Sequence, residues 1–169
     1  MKEHPQTLHP LGEGGIWEEV FEVLTRDSDN EYLMIDTTSV RAHQQTRRKR
    51  GNQNEALERS RGGLSTKIHL VTDAWGRPMR FIVTGDQVSV CTQVERLLVN
   101  LNTGYVIADK GYDSERVLQK VEELGAVAVI PPRTSRKVQR EYDRRLYKER
   151  NLIERTINKL KRFRRLTTR

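Results

Sequence analysis

"YLMIDTTSV", residues 32–40, is short, apolar and β-branched, the composition of a buried strand, yet it carries one acid, Asp36. Burying an unpaired carboxylate is expensive, so an acid closing an apolar strand needs a reason. The pattern returns in "GYVIADKGYDS", residues 104–114, where Asp109 closes the run "YVIA". If these two strands are neighbours in one sheet, both aspartates emerge at the same end of it. A lone aspartate at a strand end usually serves the turn that follows. Two at matched strand ends raise the weight of a shared site.

The surrounding segments supply a sheet for those strands. "LSTKIHLVTD" (64–73) and "PMRFIVTGDQ" (78–87) alternate like strands and are joined by the short connection "AWGR". "AVAVIPP" (126–132) is a further buried strand, closed by two prolines. Helices are predicted between them. "GIWEEVFEVLTR" (15–26) places Ile16, Val20, Val23 and Leu24 at helical spacing, with Trp17 and Phe21 widening the apolar side, and "DSDN" ends it. "VCTQVERLLVNL" (90–101) puts Val90, Val94, Leu97, Leu98 and Leu101 on one face. "SERVLQKVEELG" (114–125) has Ser114 as N-cap and Gly125 as its stop, and a last helix is expected from about Glu141 onward. Residues 44–63 show no periodicity and carry six bases, Arg47, Arg48, Lys49 and Arg50 among them, and read as a mobile basic loop. The order of helix, three strands, helix, strand, helix, strand, helix describes a mixed sheet flanked by helices. His69 on a strand and Asp73 at a turn read as packed and turn-forming residues.

Apolar residues make up 35% of the 169-residue chain and charged residues 32%, so the core must be small for the length. The single cysteine, Cys91, excludes an internal disulfide and suits a reducing cytosol. The start lacks a signal-peptide core and no apolar run is long enough to cross a membrane, which points to a soluble intracellular protein. The net charge of +8 is unevenly placed. Residues 133–169 hold 15 Lys and Arg against four Asp and Glu, a net of +11, while residues 1–132 hold 16 against 19, a net of −3. A polyanion is the natural partner of the C-terminal segment.

That segment contains "YKERNLIERTINKLK", residues 147–161. At about 100° per residue, Glu154 shares its helical face with Tyr147, Arg150, Asn151, Asn158 and Lys161. Leu146, Ile153, Ile157 and Leu160 form an adjacent apolar stripe. Docking that stripe on the sheet leaves Glu154 at the sheet edge to which Asp36 and Asp109 point. Clustered acids repel: two at about 4 Å cost roughly 4 kcal/mol at an effective dielectric of 20. Divalent cations relieve the repulsion, and hard oxygen ligands suit Mg²⁺. A pair of such ions activates an oxygen nucleophile on one side of a phosphodiester and stabilises the leaving oxygen on the other. No other constellation competes, since the four histidines have no zinc spacing and neither a phosphate-binding glycine loop nor a serine elbow is present.

The spacing Tyr147, Arg150, Glu154, Lys161 matches the pattern Y-x2-R-x3-E-x6-K without a gap. It resembles the hallmark of bacterial insertion-sequence transposases of the DDE class. "MIDTTSVRAHQ", "SRGGLSTKIHLVTDAWGRP" and "ADKGYDS" look like that family's other blocks, in the same order, so the resemblance covers roughly residues 11–169. It implies a ribonuclease-H-like α/β domain over residues 31–169, a mixed five-stranded sheet flanked by helices, after a helical lead-in at 1–30. Asp36, Asp109 and Glu154 would be the catalytic, metal-binding triad, with two Mg²⁺ ions or Mn²⁺ in their place. Tyr147, Arg150 and Lys161 would contact DNA near the scissile phosphate, and Arg47, Arg48, Lys49 and Arg50 of the basic loop would contact it too. The implied partners are transposon ends and target DNA, a second copy on the DNA, and a product of an upstream reading frame. The implied setting is the bacterial cytoplasm, with association to the nucleoid when bound.

Relatives usually carry a helical DNA-binding region before this point and an apolar segment beyond "RFRRLTTR", and they typically have an aspartate where Val90 stands. The resemblance therefore implies a catalytic-core fragment, as in a second-frame product or a decayed copy. The competing expectation is a non-catalytic DNA-binding fragment or regulator derived from a transposase, which shares the DNA affinity but not the strand cleavage.

Overall fold

A computed structural model of the protein describes residues 28–41, 58–60 and 63–163, together with Val23 and Thr25. Strand β1 (Tyr32–Arg41) is central. It pairs antiparallel with β3 (Gly63–Thr72) on one side and parallel with β5 (Tyr105–Ala108) on the other. Beyond β3 lies β4 (Pro78–Gly85), antiparallel, and beyond β5 lies β6 (Val127–Val129), parallel. Antiparallel hairpins thus build one half of the sheet and strand–helix–strand crossovers the other, which makes the expected mixed sheet flanked by helices.

A sixth strand, β2 (Glu58–Ser60), pairs with the first residues of β3, at the end of the edge that β4 occupies further along. This corrects the expectation of an unstructured loop across 44–63. A three-residue strand is too short to show a period, and its pairing comes from closing onto Gly63–Ser65. Residues 44–57, with Arg47, Arg48, Lys49 and Arg50, lie outside the described residues, as does nearly all of the expected lead-in helix, of which Val23 and Thr25 are helical.

Alternation along the strands sorts their side chains to two faces. Leu33 and Ile35 of β1, Val71 of β3, and Val106 and Ala108 of β5 pack beneath α1 (Val90–Leu98) and α2 (Glu115–Glu123) through Val94, Leu97, Leu98, Val117 and Val121. Ser114 caps α2 by accepting from the Val117 amide at 3.3 Å, and Gly125 stops it at φ +71°. The C-terminus of α1 is closed by Arg80, whose guanidinium donates to the carbonyls of Leu97 (2.8 Å) and Val99 (2.6 Å). Met34, Leu70, Ile107 and Val129 face the other way and are covered by Ile153 and Ile157 of α3 (Asn151–Lys161).

The final helix begins later than Glu141. A 3-10 turn occupies Leu146–Arg150 and α3 follows. Asp143 explains the delay, because its carboxylate accepts from the amides of Arg145 (2.7 Å) and Leu146 (3.0 Å) and so starts the turn there. Helix α3 is also fastened to the β3–β4 connection. Thr156 donates to the Gly76 carbonyl at 2.6 Å, and a Cβ at Gly76, which has φ +75°, would lie 3.3 Å from Leu152 Cβ. Glycine is the residue that admits both the close approach and the backbone conformation. No helix among the described residues is long and apolar enough to cross a membrane.

Candidate active site

The two-residue period of the strands places the aspartates. Asp36 follows Met34 by two and Asp109 follows Ile107 by two, so each lies on the face that α3 covers. The parallel register aligns Met34 with Ile107 and Ile35 with Ala108, which makes 36 and 109 neighbouring positions at the C-terminal ends of the paired segments. Adjacent strands are about 4.8 Å apart. The register thus brings the two acids to adjacent backbone positions, one residue past the last paired residues Ile35 and Ala108.

Each aspartate has one fixed oxygen. Asp36 accepts from the Thr37 amide at 2.8 Å, and Asp109 accepts from the Gly111 amide at 2.8 Å while capping the short 3-10 turn Lys110–Tyr112. Gly111 is required for that closeness, since a Cβ there would lie 2.8 Å from Asp109 Oδ1. Burial pushes the Asp36 carboxyl above its ordinary pKa. The Thr37 amide and Arg150 oppose the shift, and the charges of Asp109 and Glu154 add to it. Tyr112 is fully buried in the core cluster on the other face of the sheet. Its phenol is held protonated by burial first and then by the negative Asp36 and Asp109.

Helix α3 and the turn before it bring the remaining groups. Glu154 is partly exposed on the first turn of α3, and Arg150 lies between it and the sheet. One guanidinium nitrogen donates to Asp36 Oδ2 at 3.3 Å and the other donates to the Glu154 carboxylate in a short contact. Arg150 thereby spans the two acids as their shared counter-ion. Its guanidinium also sits 5.9 Å from the Tyr147 ring, and Tyr147 makes an edge contact with Tyr142 at 5.5 Å. Tyr147 is half-buried in the cluster beneath α3 and its hydroxyl pKa is raised by that burial, so it packs as well as lining the site.

The structure thus gathers Asp36, Asp109, Arg150, Glu154 and Tyr147, and leaves Lys161 apart. Lys161 is exposed at the far end of α3, seven residues beyond Glu154, or about 10 Å along the axis. Among the described residues, no three His, Cys, Asp or Glu side chains are grouped closely enough to hold a metal ion. The donor chemistry of Asp36, Asp109 and Glu154 is that of a hard divalent cation, while the present spacing of Asp36 and Glu154 is that of a guanidinium fork.

Sequence reasoning missed the support beneath the site. Asp113 has a fully buried side chain and accepts from the Arg133 amide (2.7 Å), Arg136 Nε (2.7 Å) and Arg140 Nη1 (3.4 Å). Arg133 also donates to the carbonyls of Lys110 and Gly111. Three bases of the positive C-terminal segment are thus spent on bracing the Asp109 turn. A signal was present in "ADKGYDS", where a second acid and a tyrosine follow Asp109 within four residues. His69 is packed as expected, with Nε2 2.9 Å from Thr84 Oγ1, and Asp73 is a turn acid holding the Trp75 and Arg77 amides and the Arg77 guanidinium.

The family model for the transposase DDE domain matches residues 27–169. The chain is 41% identical over 108 residues to a Brucella ovis protein assigned as a transposase for insertion sequence element IS6501, a match covering 63% of this chain and 83% of the relative. It is 36% identical over 124 residues to a Burkholderia cepacia protein assigned as a transposase for insertion sequence element IS402, covering 66% of this chain and 56% of that one. Among solved structures it is similar to the piggyBac transposase in a synaptic complex with hairpin DNA, at 14% identity and TM-score 0.48, covering 72% of this chain and 27% of that chain. It is also similar to the catalytic domain of Mos1 mariner transposase, at 11% identity and TM-score 0.41, covering 85% and 83%. The chain spans about half the length of the IS402 relative and about a quarter of the piggyBac chain.

Proposed function

The chain belongs to the DDE transposase family, its match spanning residues 27–169, and on that premise we propose that it is the catalytic core of a DNA transposase, cutting transposon ends by phosphodiester hydrolysis and joining the freed 3′-hydroxyl to target DNA. One observation carries the reading. The register of β1 and β5 sets Asp36 beside Asp109, and α3 delivers Glu154 to the same face with a cation already bridging the acids. Asp73 and Asp113 are each held by backbone amide and guanidinium groups together, whereas Asp36 and Glu154 divide one guanidinium between them.

In this reading Asp36, Asp109 and Glu154 hold Mg²⁺, or Mn²⁺ in its place, as two ions. Bound there, the metal supplies a nucleophilic oxygen at neutral pH and neutralises the leaving oxygen. The chain's own part is positional. Asp36 and Asp109 are fixed by the Thr37 and Gly111 amides. Arg150, Tyr147 and Lys161 take the DNA backbone on the α3 side, with Arg47, Arg48, Lys49 and Arg50 as further contacts. The remaining bases of 133–169 give sequence-tolerant binding. Neutralising about six phosphates makes the slope of log K against log salt roughly −5. Two copies act together on paired ends. The 31–169 unit is taken as the catalytic domain.

The test is metal-dependent cleavage of an oligonucleotide duplex carrying element ends. Asp36→Asn, Asp109→Asn and Glu154→Gln are each expected to remove cleavage while DNA affinity survives, because each change deletes a negative charge. Full cleavage by the Glu154→Gln protein would return Glu154 to the role of an ordinary helix ion-pair partner. Binding without cleavage by the unaltered protein would favour the DNA-binding fragment or regulator.

A further inference from the structure

Arg150 occupies the position that the proposed reaction needs for a metal. Its two terminal nitrogens reach Asp36 Oδ2 and the Glu154 carboxylate, residues on opposite sides of the candidate site, and its side chain is only 21% exposed. A guanidinium is a fork of fixed shape that matches a carboxylate or a phosphate equally well. The donors also differ in hold. The contact to Asp36 is long at 3.3 Å, and that to Glu154 joins residues four apart on one helical run, so it survives if the side chain pivots away from the sheet. Tyr147 offers the pivoting guanidinium an aromatic face at 5.9 Å.

We propose that Arg150 is a latch that makes divalent-metal capture by Asp36, Asp109 and Glu154 conditional on a nucleic-acid phosphate. Without DNA the guanidinium serves as the internal cation of the acids and holds Asp36 and Glu154 at its own spacing. A backbone phosphate arriving beside α3 competes for the same fork and draws it out. Asp36 then loses its counter-ion, and its repulsion with Asp109 favours a dication. DNA and metal therefore bind with positive coupling, and by linkage each strengthens the other by the same factor. The latch confines metal-driven hydrolysis to a site that already holds a phosphodiester. This inference rests on the three acids being the metal site, as proposed above, and its test separates the two.

The probe is Mn²⁺ binding followed by electron paramagnetic resonance, on the whole protein, with and without a non-cleavable duplex. For the unaltered protein the duplex is expected to tighten Mn²⁺ binding about tenfold, within the usual range of coupling between sites. Arg150→Gln, which keeps a polar side chain of similar reach, is expected to bind Mn²⁺ about tenfold tighter than the unaltered protein in the absence of DNA, and to gain little more when DNA is added. Arg150→Lys, which keeps the charge but not the fork, should fall between them. Thermal melting without metal shows whether each variant is folded, and an unfolded Arg150→Gln protein leaves the Arg150→Lys comparison to decide. Equal Mn²⁺ affinity of the folded variants and the unaltered protein, with Asp36→Asn weakening it, would overturn the latch and leave the metal site standing. Indifference of Mn²⁺ binding to Asp36→Asn and Glu154→Gln would overturn both.

Discussion

Asp113 and Asp36 are both acids paired with arginine, and they have been put to opposite uses. Asp113 has a side chain closed from solvent and receives an amide and two guanidinium groups from the segment that follows β6. Asp36 receives the amide of its own neighbour and one long contact from Arg150. Burial works to raise the pKa of both. At Asp113 the Arg133 amide and then Arg136 and Arg140 reverse it, so the carboxyl is held below its ordinary value. At Asp36 burial prevails. A saturated carboxylate fastens one part of the fold to another. At Asp36 the fold leaves the charged form disfavoured, which is what the proposed cation site would draw on.

The sharpest way to break this comparison is to remove the saturated member. Asp113→Ala strands two arginines around an empty site. Losing one partner of a buried pair costs about 3–5 kcal/mol. Because Arg136 and Arg140 are 25% and 30% exposed and water can reach them, about 2–3 kcal/mol is expected, read from urea unfolding. A loss no larger than that of an exposed acid would show that Asp113 fastens nothing.

Gly111→Ala is expected to have a smaller effect, about 1 kcal/mol, the worth of a capping hydrogen bond. The added Cβ would meet Asp109 Oδ1 at 2.8 Å and turn that carboxylate off its amide. The same variant should weaken Mn²⁺ binding, which a purely structural cap would not do.

The smallest expected change is at the unsaturated member. Asp36→Asn should leave stability at pH 7 unchanged or raised by under about 1 kcal/mol. The sign follows from the direction of the shift. A carboxyl whose folded pKa is raised costs stability when ionised, and that cost is relieved as the pH falls through the folded value. Any advantage of Asp36→Asn should therefore fade on acidification. Asp113 runs the other way, its contribution being present at neutral pH and lost as the pH falls below the ordinary carboxyl value of 3.8 through its lower folded one. Parallel acid unfolding curves for the two variants would dissolve the distinction.

Strand periodicity made the sheet and the two aspartates legible, because side-chain direction in a strand follows from counting by two. The apolar stripe Ile153 and Ile157 likewise announced the docking face of α3, and with it Glu154. What the pattern could not show was where helical form begins, since 141–150 has the composition of a helix but is started late by the carboxylate of Asp143. Nor could it show that Arg136 and Arg140 turn inward to Asp113 and Arg133 to the Lys110 and Gly111 carbonyls, because a run of bases reads as a solvated face until its partners are located in space. Strand β2 escaped for a related reason, its three residues being defined by their partner and not by any period of their own.

The place of β1 in the sheet carries a consequence for how the molecule comes into being. Its antiparallel neighbour β3 is the next long strand in the chain and is joined to β4 by a tight hairpin, while its parallel neighbour β5 arrives only after the crossover through α1. Local pairings close quickly and distant ones slowly. The contact between Asp36 and Arg150 joins residues 114 apart, among the most distant in the chain's order of assembly. The half that carries Asp36 can therefore take shape first as a sheet, and the meeting of Asp36 with Arg150 is among the last contacts to form. A partly folded molecule has its strands before it has the proposed site.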